Sequence, residues 1–341
     1  MVFSWHLSEF ERFCRLLPQL PHAILIHGAA GTGKLEFAKE AAALLLCRSP
    51  AQRGNAQAAC GECASCTLLR LGNHPDFFHV QPEADAAGTA DATEAGEPGG
   101  EKRKKLSSQI RIEQIRDLTD SIQTGTHQGG RRVLLISPAE AMNKATANAL
   151  LKTLEEPPPG TVILLVSGNP DRLLPTLRSR CQRIALGEPD RDLALGWLKQ
   201  QGVADPEGGL ALAGGAPLRA LEAAGAEAAI DHDYLIQRLA LSGDAFAAAD
   251  AMVKSEPIAS VDWMQRWVCD VLMLQLGGRI RYHPRYEKEI RGVAQKAPPL
   301  SLLRFARRLA EFRAIASHPV NPRLFAENLA LGYVESVRGP R

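Results

Sequence analysis

The chain has 341 residues, room for two or three domains of about 100 to 150 residues each. Forty Lys plus Arg against 38 Asp plus Glu leave a formal net charge of +2, so no global basic field drives nucleic-acid binding, and any DNA contact must come from a local patch. No stretch approaches the about 18 uninterrupted apolar residues of a membrane span, and Met1-Val2-Phe3-Ser4-Trp5-His6 lacks the basic-then-apolar order of a signal peptide; a cytoplasmic protein with no membrane contact is expected.

In chain order, Ala23 to His27 reads as a short buried strand that runs into a Gly-rich loop, and Leu35 to Leu46 continues in helix formers. Phe77 to Val80 reads as a second strand. The run from Pro82 to Lys105, rich in Ala, Gly, Asp and Glu and ending in Lys102-Arg103-Lys104-Lys105, offers almost nothing to offset the entropy of ordering it, so a disordered insertion over 82–105 is expected. Its basic end reads as a solvated segment rather than a groove reader. Ile110, Ile112, Ile115, Leu118 and Ile122 recur at roughly helical spacing, Val133 to Ile136 is an apolar strand, and Asn143 to Glu155 is an amphipathic helix stopped by Pro157-Pro158-Pro159. Thr161 to Val166 is a continuous apolar run of the kind buried on both faces of a sheet, and Arg183 to Leu186 is a further short strand. Strands alternating with helices predict a parallel sheet covered on both sides.

Composition changes after about residue 187. Short helical patterns broken by Gly208-Gly209 and Gly214-Gly215 extend to about Ala228, and the remainder is helical with no strong strand signal. The expected organisation is an α/β domain over 1–187, a small helical domain over 188–228 and an all-helical domain over 229–341. Trp263, Trp267 and Leu272 to Leu276 stand at helical spacing and read as core, and Cys14 and Cys269 as buried small hydrophobes.

Gly28-Ala29-Ala30-Gly31-Thr32-Gly33-Lys34 fits the phosphate-loop pattern, and it follows a strand and opens a helix, the context that pattern requires. Gly28, Gly31 and Gly33 let backbone N–H groups turn toward phosphate oxygens, the helix N-terminus adds positive potential, and Lys34 supplies a point charge. The residue after the lysine is Leu35, where an active NTPase needs a hydroxyl for Mg²⁺. At the end of the strand Val133 to Ile136, where metal-binding Asp and water-orienting Glu residues stand, the chain has Ser137-Pro138. Glu140 is a weak substitute three residues on. Both usual metal ligands are gone, so no hydrolysis is expected, and ATP or ADP binding at the loop is expected to be weak or absent.

Cys47, Cys60, Cys63 and Cys66 are separated by twelve, two and two residues, a chelating knuckle completed by a cysteine at the end of the preceding helix. Four thiolates fill a tetrahedral Zn²⁺ shell and leave no open position, which predicts a structural ion in a module over 47–66. His74 and His79 lie nearby but read as surface or turn residues. Leu177-Arg178-Ser179-Arg180-Cys181 precedes the last strand; by itself an arginine there reads as a solvated or ion-paired residue.

Taken together, the degenerate loop Gly28 to Leu35, the four cysteines, the run Ala147-Asn148-Ala149-Leu150-Leu151-Lys152-Thr153-Leu154-Glu155-Glu156-Pro157-Pro158 and Ser179-Arg180-Cys181 resemble the clamp-loader branch of the AAA+ ATPases. The match extends over about residues 20 to 220; beyond Arg219 only helical character agrees. The resemblance implies a P-loop AAA+ domain with an inserted zinc module, a helical lid and a C-terminal helical collar. It implies a subunit of a DNA polymerase III holoenzyme that helps load the sliding clamp onto primed DNA, within a hetero-oligomeric ring with gamma/tau and delta subunits. It also implies that Arg180 acts in trans as an arginine finger on ATP held by a neighbouring gamma/tau subunit, with Arg178 the rival candidate. Asn169 resembles the polar sensor position, and Arg219 the second sensor arginine on the lid. A gamma/tau-like motor would need the missing Ser or Thr and acidic residues, a P-loop metabolic kinase would need a working Mg²⁺ site and leaves the cysteines unexplained, and a stand-alone zinc DNA-binding module finds only Arg48, Arg53 and Arg70 nearby.

Overall fold

The computed structural model describes residues 2–53, 56–87, 107–123, 130–225, 231–316 and 318–339. The chain divides into two compact units, Met1–Asp190 and Arg191–Arg341.

The first unit opens with α1 (Leu7–Leu16), followed by β1 (Ala23–His27) and α2 (Lys34–Leu46). A small hairpin, β2 (Ala51–Arg53) and β3 (Ala56–Ala58), precedes α3 (Ala64–Arg70), β4 (Phe77–Val80) and α4 (Glu83–Ala87). Then come α5 (Ile112–Gln123), β5 (Arg132–Ile136), α6 (Lys144–Glu155), β6 (Thr161–Ser167), α7 (Pro175–Arg180) and β7 (Gln182–Ala185). The main sheet is five-stranded in the order β4-β5-β6-β1-β7, and every pairing is parallel, with Ile26 opposite Val166 and Ile184 opposite Ile26 on the other side.

Strict alternation in the apolar strands assigns the two faces. Ile24, Ile26, Leu135 and Leu164 pack with Phe10 and Phe13 of α1 and Phe37 of α2 on one side. Leu25, Leu134, Ile136 and Leu165 pack with Ile115 and Leu118 of α5 and Leu150 and Leu154 of α6 on the other. This is the doubly covered α/β layer expected for continuous apolar runs. The start of α6 is set by Asn143, whose Oδ1 accepts from Thr146 N at 2.9 Å. Its end is set by the proline run after Glu156.

The second unit contains α8 (Arg191–Gln200), α9 (Pro206–Leu212) and α10 (Pro217–Gly225), which share a small cluster of Ala194, Leu195, Leu198, Leu210 and Ala220. A larger cluster is built by α11 (His232–Ile236), α12 (Ala245–Met252), α13 (Pro257–Gln275), α14 (Glu287–Lys296), α15 (Pro299–Ala316) and α16 (Pro322–Arg338). Its centre is the stacked pair Trp263 and Trp267, with ring centroids 5.7 Å apart. No described helix is long and apolar enough to cross a membrane.

Three expectations change. Residues 83–87 form a helix rather than disordered chain, because Glu83 Oε2 is held by Arg111 at 2.9 Å and by the Ser107 amide at 3.4 Å; residues 88–105 of the expected insertion, including Lys102 to Lys105, lie outside the described residues. Leu276 is 79% exposed instead of core, since it follows the last turn of α13. Cys14 and Cys269 are half-buried rather than buried, and Cys14 Sγ reaches the Gln57 carbonyl at 3.5 Å.

Candidate functional sites

The phosphate loop joins β1 to α2 at the carboxyl end of the sheet, where β1 lies between β6 and β7 while the chain crosses to β4 at the far edge. That reversal in strand order is where doubly wound sheets open a crevice. Gly31 and Gly33 adopt φ of 76° and 96°, conformations that side chains rarely take, and Gly33 is the N-cap of α2. A Cβ on Gly33 would fall 2.5 Å from the Phe3 ring, so the N-terminal segment lies directly against the turn.

The loop is tied to its own chain. Lys34 Nζ donates to the Ala29 carbonyl at 2.5 Å, and Thr32 Oγ1 donates to the same oxygen at 2.9 Å. Trp5 Nε1 and His6 Nε2 each donate to the Thr32 carbonyl at 2.9 Å. Burial lowers the pKa of His6, while its hydrogen bond to the Thr32 carbonyl opposes that shift. Phe3 stacks on Trp5 with centroids 4.6 Å apart. Nothing in the sequence pattern pointed to Phe3, Trp5 or His6; their contacts with the loop span more than twenty-five residues of chain.

Leu35 is half-buried and packs against the apolar cluster that includes Phe37 and Phe13. At the end of β5, Ser137 is buried and its amide donates to Val80 O at 3.0 Å. Glu140 Oε1 accepts from Gly168 N at 2.8 Å beyond β6, so its carboxylate closes a backbone turn. Asn169, the expected sensor, is exposed just past β6, and its amide donates to Ser167 Oγ at 3.2 Å. The described residues around the loop therefore offer a lysine and turned backbone, but Leu35 has no hydroxyl and Ser137 and Pro138 have no carboxylate where the usual metal ligands stand.

The four cysteines meet as their spacing requires. Cys47 is the C-cap of α2 and Cys63 the N-cap of α3, with Cys60 on the connection between the hairpin and that helix. All four sulfurs lie within 4.8 Å of one another, with Cys47–Cys60 at 3.6 Å, Cys60–Cys66 at 3.9 Å and Cys47–Cys63 at 4.0 Å. Backbone amides point at the sulfurs: Cys60 N to Cys47 Sγ at 3.3 Å, Cys63 N to Cys60 Sγ at 3.3 Å and Cys66 N to Cys63 Sγ at 3.5 Å. Burial opposes a charged Cys63, yet the amides of Cys66 and Arg48 overcome it and hold its pKa down to about 6, while burial pushes Cys66 up to about 12. The set can hold a metal ion. His74 is not among its ligands and is not a surface residue: it is buried, its Nε2 donates to Ser65 Oγ at 2.7 Å, and its Nδ1 accepts from the Asp76 amide at 3.0 Å. His79 is part-buried on β4, and burial lowers its pKa to about 4.

Arg178 and Arg180 both lie on α7, but they are held differently. Arg178 Nη1 reaches Asp171 Oδ1 at 2.5 Å, and its side chain is 24% exposed. Arg180, the last residue of α7, is 38% exposed; Nη2 reaches Glu155 Oε1 at 2.7 Å and Nη1 donates to Thr176 O at 3.1 Å. Arg180 lies two residues before β7 begins, and Glu155 ends α6 before β6, so both stand at the amino edge of the parallel sheet. The phosphate loop is at the opposite edge, a five-residue strand or about 16 Å away. Arg219, expected as a lid sensor, is exposed on α10 in the second unit.

Comparison with known proteins gives a consistent result. Residues 16–190 match the family described as DNA polymerase III, delta subunit, and residues 233–334 match its C-terminal region. DNA polymerase III subunit delta' of Pseudomonas aeruginosa is 38% identical over 280 residues, covering 81% of this chain and 76% of that protein. The delta' subunit of Escherichia coli K12 is 30% identical over 278 residues, covering 79% and 76%. Subunit tau of Salmonella typhimurium is 31% identical over 170 residues, half of this chain but 22% of that protein.

Proposed function

The chain belongs to the DNA polymerase III delta' subunit family, and we propose that it serves the clamp loader as a non-hydrolysing subunit that completes a neighbour's ATPase site. The observation that carries this reading is the separation of two elements across one sheet. The phosphate loop at the carboxyl edge has lost its metal-ligand residues, while Arg180 stands half-exposed at the amino edge, too far away to serve that loop. A guanidinium on the outer edge of the domain suits an adjacent subunit's nucleotide, where it neutralises charge developing on the transferred phosphoryl group.

On this reading the ring contains gamma/tau and delta subunits and acts on primed DNA and the sliding clamp. The first unit is an AAA+ domain over about 1–187, α8 to α10 form the lid over 188–228, and α11 to α16 form the collar over 229–341. The separate apolar cluster of α8 to α10 supports the distinction between lid and collar. The loop takes ATP or ADP weakly or not at all, a reading supported by the engagement of Lys34, Thr32 and the N-terminal aromatic residues with the loop itself. The cysteines hold structural Zn²⁺: a tetrahedral shell with Zn–S of about 2.3 Å has sulfur–sulfur edges of about 3.8 Å, close to the separations of 3.6 to 4.0 Å.

The test is reconstitution with gamma/tau and delta subunits, with ATPase measured in the presence of clamp and primed DNA. The wild-type chain alone shows no turnover above background, and the Arg180→Ala complex loses most stimulated turnover. Robust magnesium-dependent hydrolysis by the isolated chain, abolished by Lys34→Ala, contradicts the reading.

A further inference from the structure

The second unit contains a polar cavity of about 330 Å³ that, apart from Arg219, the expected lid sensor, is lined by residues given no role above. Its wall carries Arg219 from α10, Asp262, Gln265 and Arg266 from α13, Tyr282 from the connection between α13 and α14, and Arg313 from α15. Asp262, Gln265 and Arg266 share one helix face through their i, i+3 and i+4 spacing. Three guanidiniums thus surround a single carboxylate.

That carboxylate is already engaged. Asp262 forms an ion pair with Arg313, which also donates to Gln265 at 3.5 Å. The next acidic residue of the helix, Asp270, is fully buried and accepts the amides of Arg281, Tyr282 and His283, so it does not serve the cavity. Neither Arg219 nor Arg266 donates a hydrogen bond to a described residue. Arg266 is half-buried: burial lowers its pKa, Asp262 opposes that shift, and the guanidiniums of Arg219 and Arg313 add to it. An arginine cannot shed its charge, and the half-buried Arg266, crowded by the more exposed guanidiniums of Arg219 and Arg313, needs a counter-charge beyond the one carboxylate.

We propose that this cavity binds an oxyanion of the phosphate class, a phosphate ester or free phosphate, between Arg219 and Arg266. A tetrahedral oxyanion presents oxygens to forks on two different helices at once, whereas a planar carboxylate edge is filled by one fork, as Asp262 is by Arg313. The site lies wholly within the second unit and does not depend on the phosphate loop or on Arg180.

The experiment is calorimetric titration of the full chain with inorganic phosphate at low ionic strength. The wild type shows saturable binding, weakened at least tenfold in Arg219→Gln and in Arg266→Gln. Asp262→Asn, which removes the opposing carboxylate, strengthens binding several-fold, a direction that misfolding does not produce. Lys34→Ala leaves the titration unchanged and so separates this site from phosphate held at the loop. Absence of saturable binding, binding unaffected by Arg219→Gln, or binding abolished by Lys34→Ala overturns the proposal. Competition identifies the source. Displacement of phosphate by a short single-stranded oligonucleotide but not by a mononucleotide assigns a nucleic-acid backbone, and displacement by both equally assigns a free phosphate ester. A glutamate-rich peptide that binds with this arginine dependence where phosphate does not overturns the assignment to phosphate.

Discussion

Arg180 and Glu155 form an ion pair at 2.7 Å that joins the last residues of α7 and α6. Both side chains are more than a third exposed, and a pair in that setting contributes only about 0 to 1 kcal/mol. The guanidinium is therefore held in one direction at little cost to its release. On the proposed reading, Arg180→Ala lowers the stimulated ATPase of the reconstituted complex by about 10³-fold or more, while the melting temperature of the chain changes little. Glu155→Ala leaves stability within about 1 kcal/mol. Loss of turnover together with collapse of the isolated chain in Arg180→Ala would assign the arginine a folding role instead.

Arg178 is the control. Its tight pairing with Asp171 and lower exposure mark it as a residue that fastens the segment after β6 to α7. Arg178→Ala is expected to retain ATPase within a few-fold of wild type in the same assay and to show its effect in thermal unfolding. A profound ATPase loss in Arg178→Ala with normal turnover in Arg180→Ala exchanges the two roles.

Restoring one lost atom at the phosphate loop does not restore hydrolysis. Leu35→Thr supplies a hydroxyl, but Ser137 and Pro138 still provide no carboxylate, and Glu140 is engaged by the Gly168 amide. Magnesium-dependent turnover is expected to stay at background. Because Leu35 packs against the cluster containing Phe37, the substitution also lowers stability by about 1 to 3 kcal/mol, read from the urea midpoint. Turnover in this variant alone would mean that the two losses are not independent.

Much of this architecture was legible because its signals are local. The strands Ala23–His27 and Phe77–Val80 coincide with their apolar runs, the Asn143 cap and the proline stop bracket α6, and the cysteine spacing brings four sulfurs together. What escaped depends on distant partners. The difference between Arg178 and Arg180 is made by Asp171 and Glu155, the latter 25 residues upstream of Arg180 and on another helix. Ordering of Glu83–Ala87 depends on Ser107 and Arg111 beyond a long stretch of chain, and the cover over the phosphate loop comes from aromatic residues with no periodicity to reveal them. Composition reports the balance of a segment with solvent, not with a residue the fold brings back to it.

The second unit carries a pH signature. His232 Nδ1 accepts from Trp263 Nε1 at 2.7 Å, an interaction that requires a neutral acceptor, and burial lowers the His232 pKa from 6.5 to about 4. The unfolded chain thus binds the proton more readily than the folded one. This contribution to stability is complete above the unfolded value of 6.5 and declines as pH falls toward about 4. The urea midpoint of the wild type should decrease across that interval, and His232→Gln should flatten that part of the profile. An unchanged slope in His232→Gln assigns the dependence to other groups.

The cysteine cluster makes a local stability prediction. The hairpin and α3 contribute little to the adjoining apolar cluster beyond Ala56 and Leu69, so on the proposed reading an ion held by the cysteines is the main constraint on this segment. Metal analysis of reduced wild-type protein should give one zinc per chain, and Cys60→Ser should lose most of it. Structural sites of this type bind with apparent energies of about 10 kcal/mol or more, part of which appears as folding stability. Chelation should therefore raise amide exchange throughout 47–70 while β1, β5 and β6, whose apolar residues are buried, stay protected. Cys181→Ser, which alters a cysteine outside the cluster, should retain the metal. Full zinc occupancy in Cys60→Ser would contradict the four-sulfur site, and exchange spreading equally through β1, β5 and β6 would mean that the ion supports the whole domain rather than the inserted module.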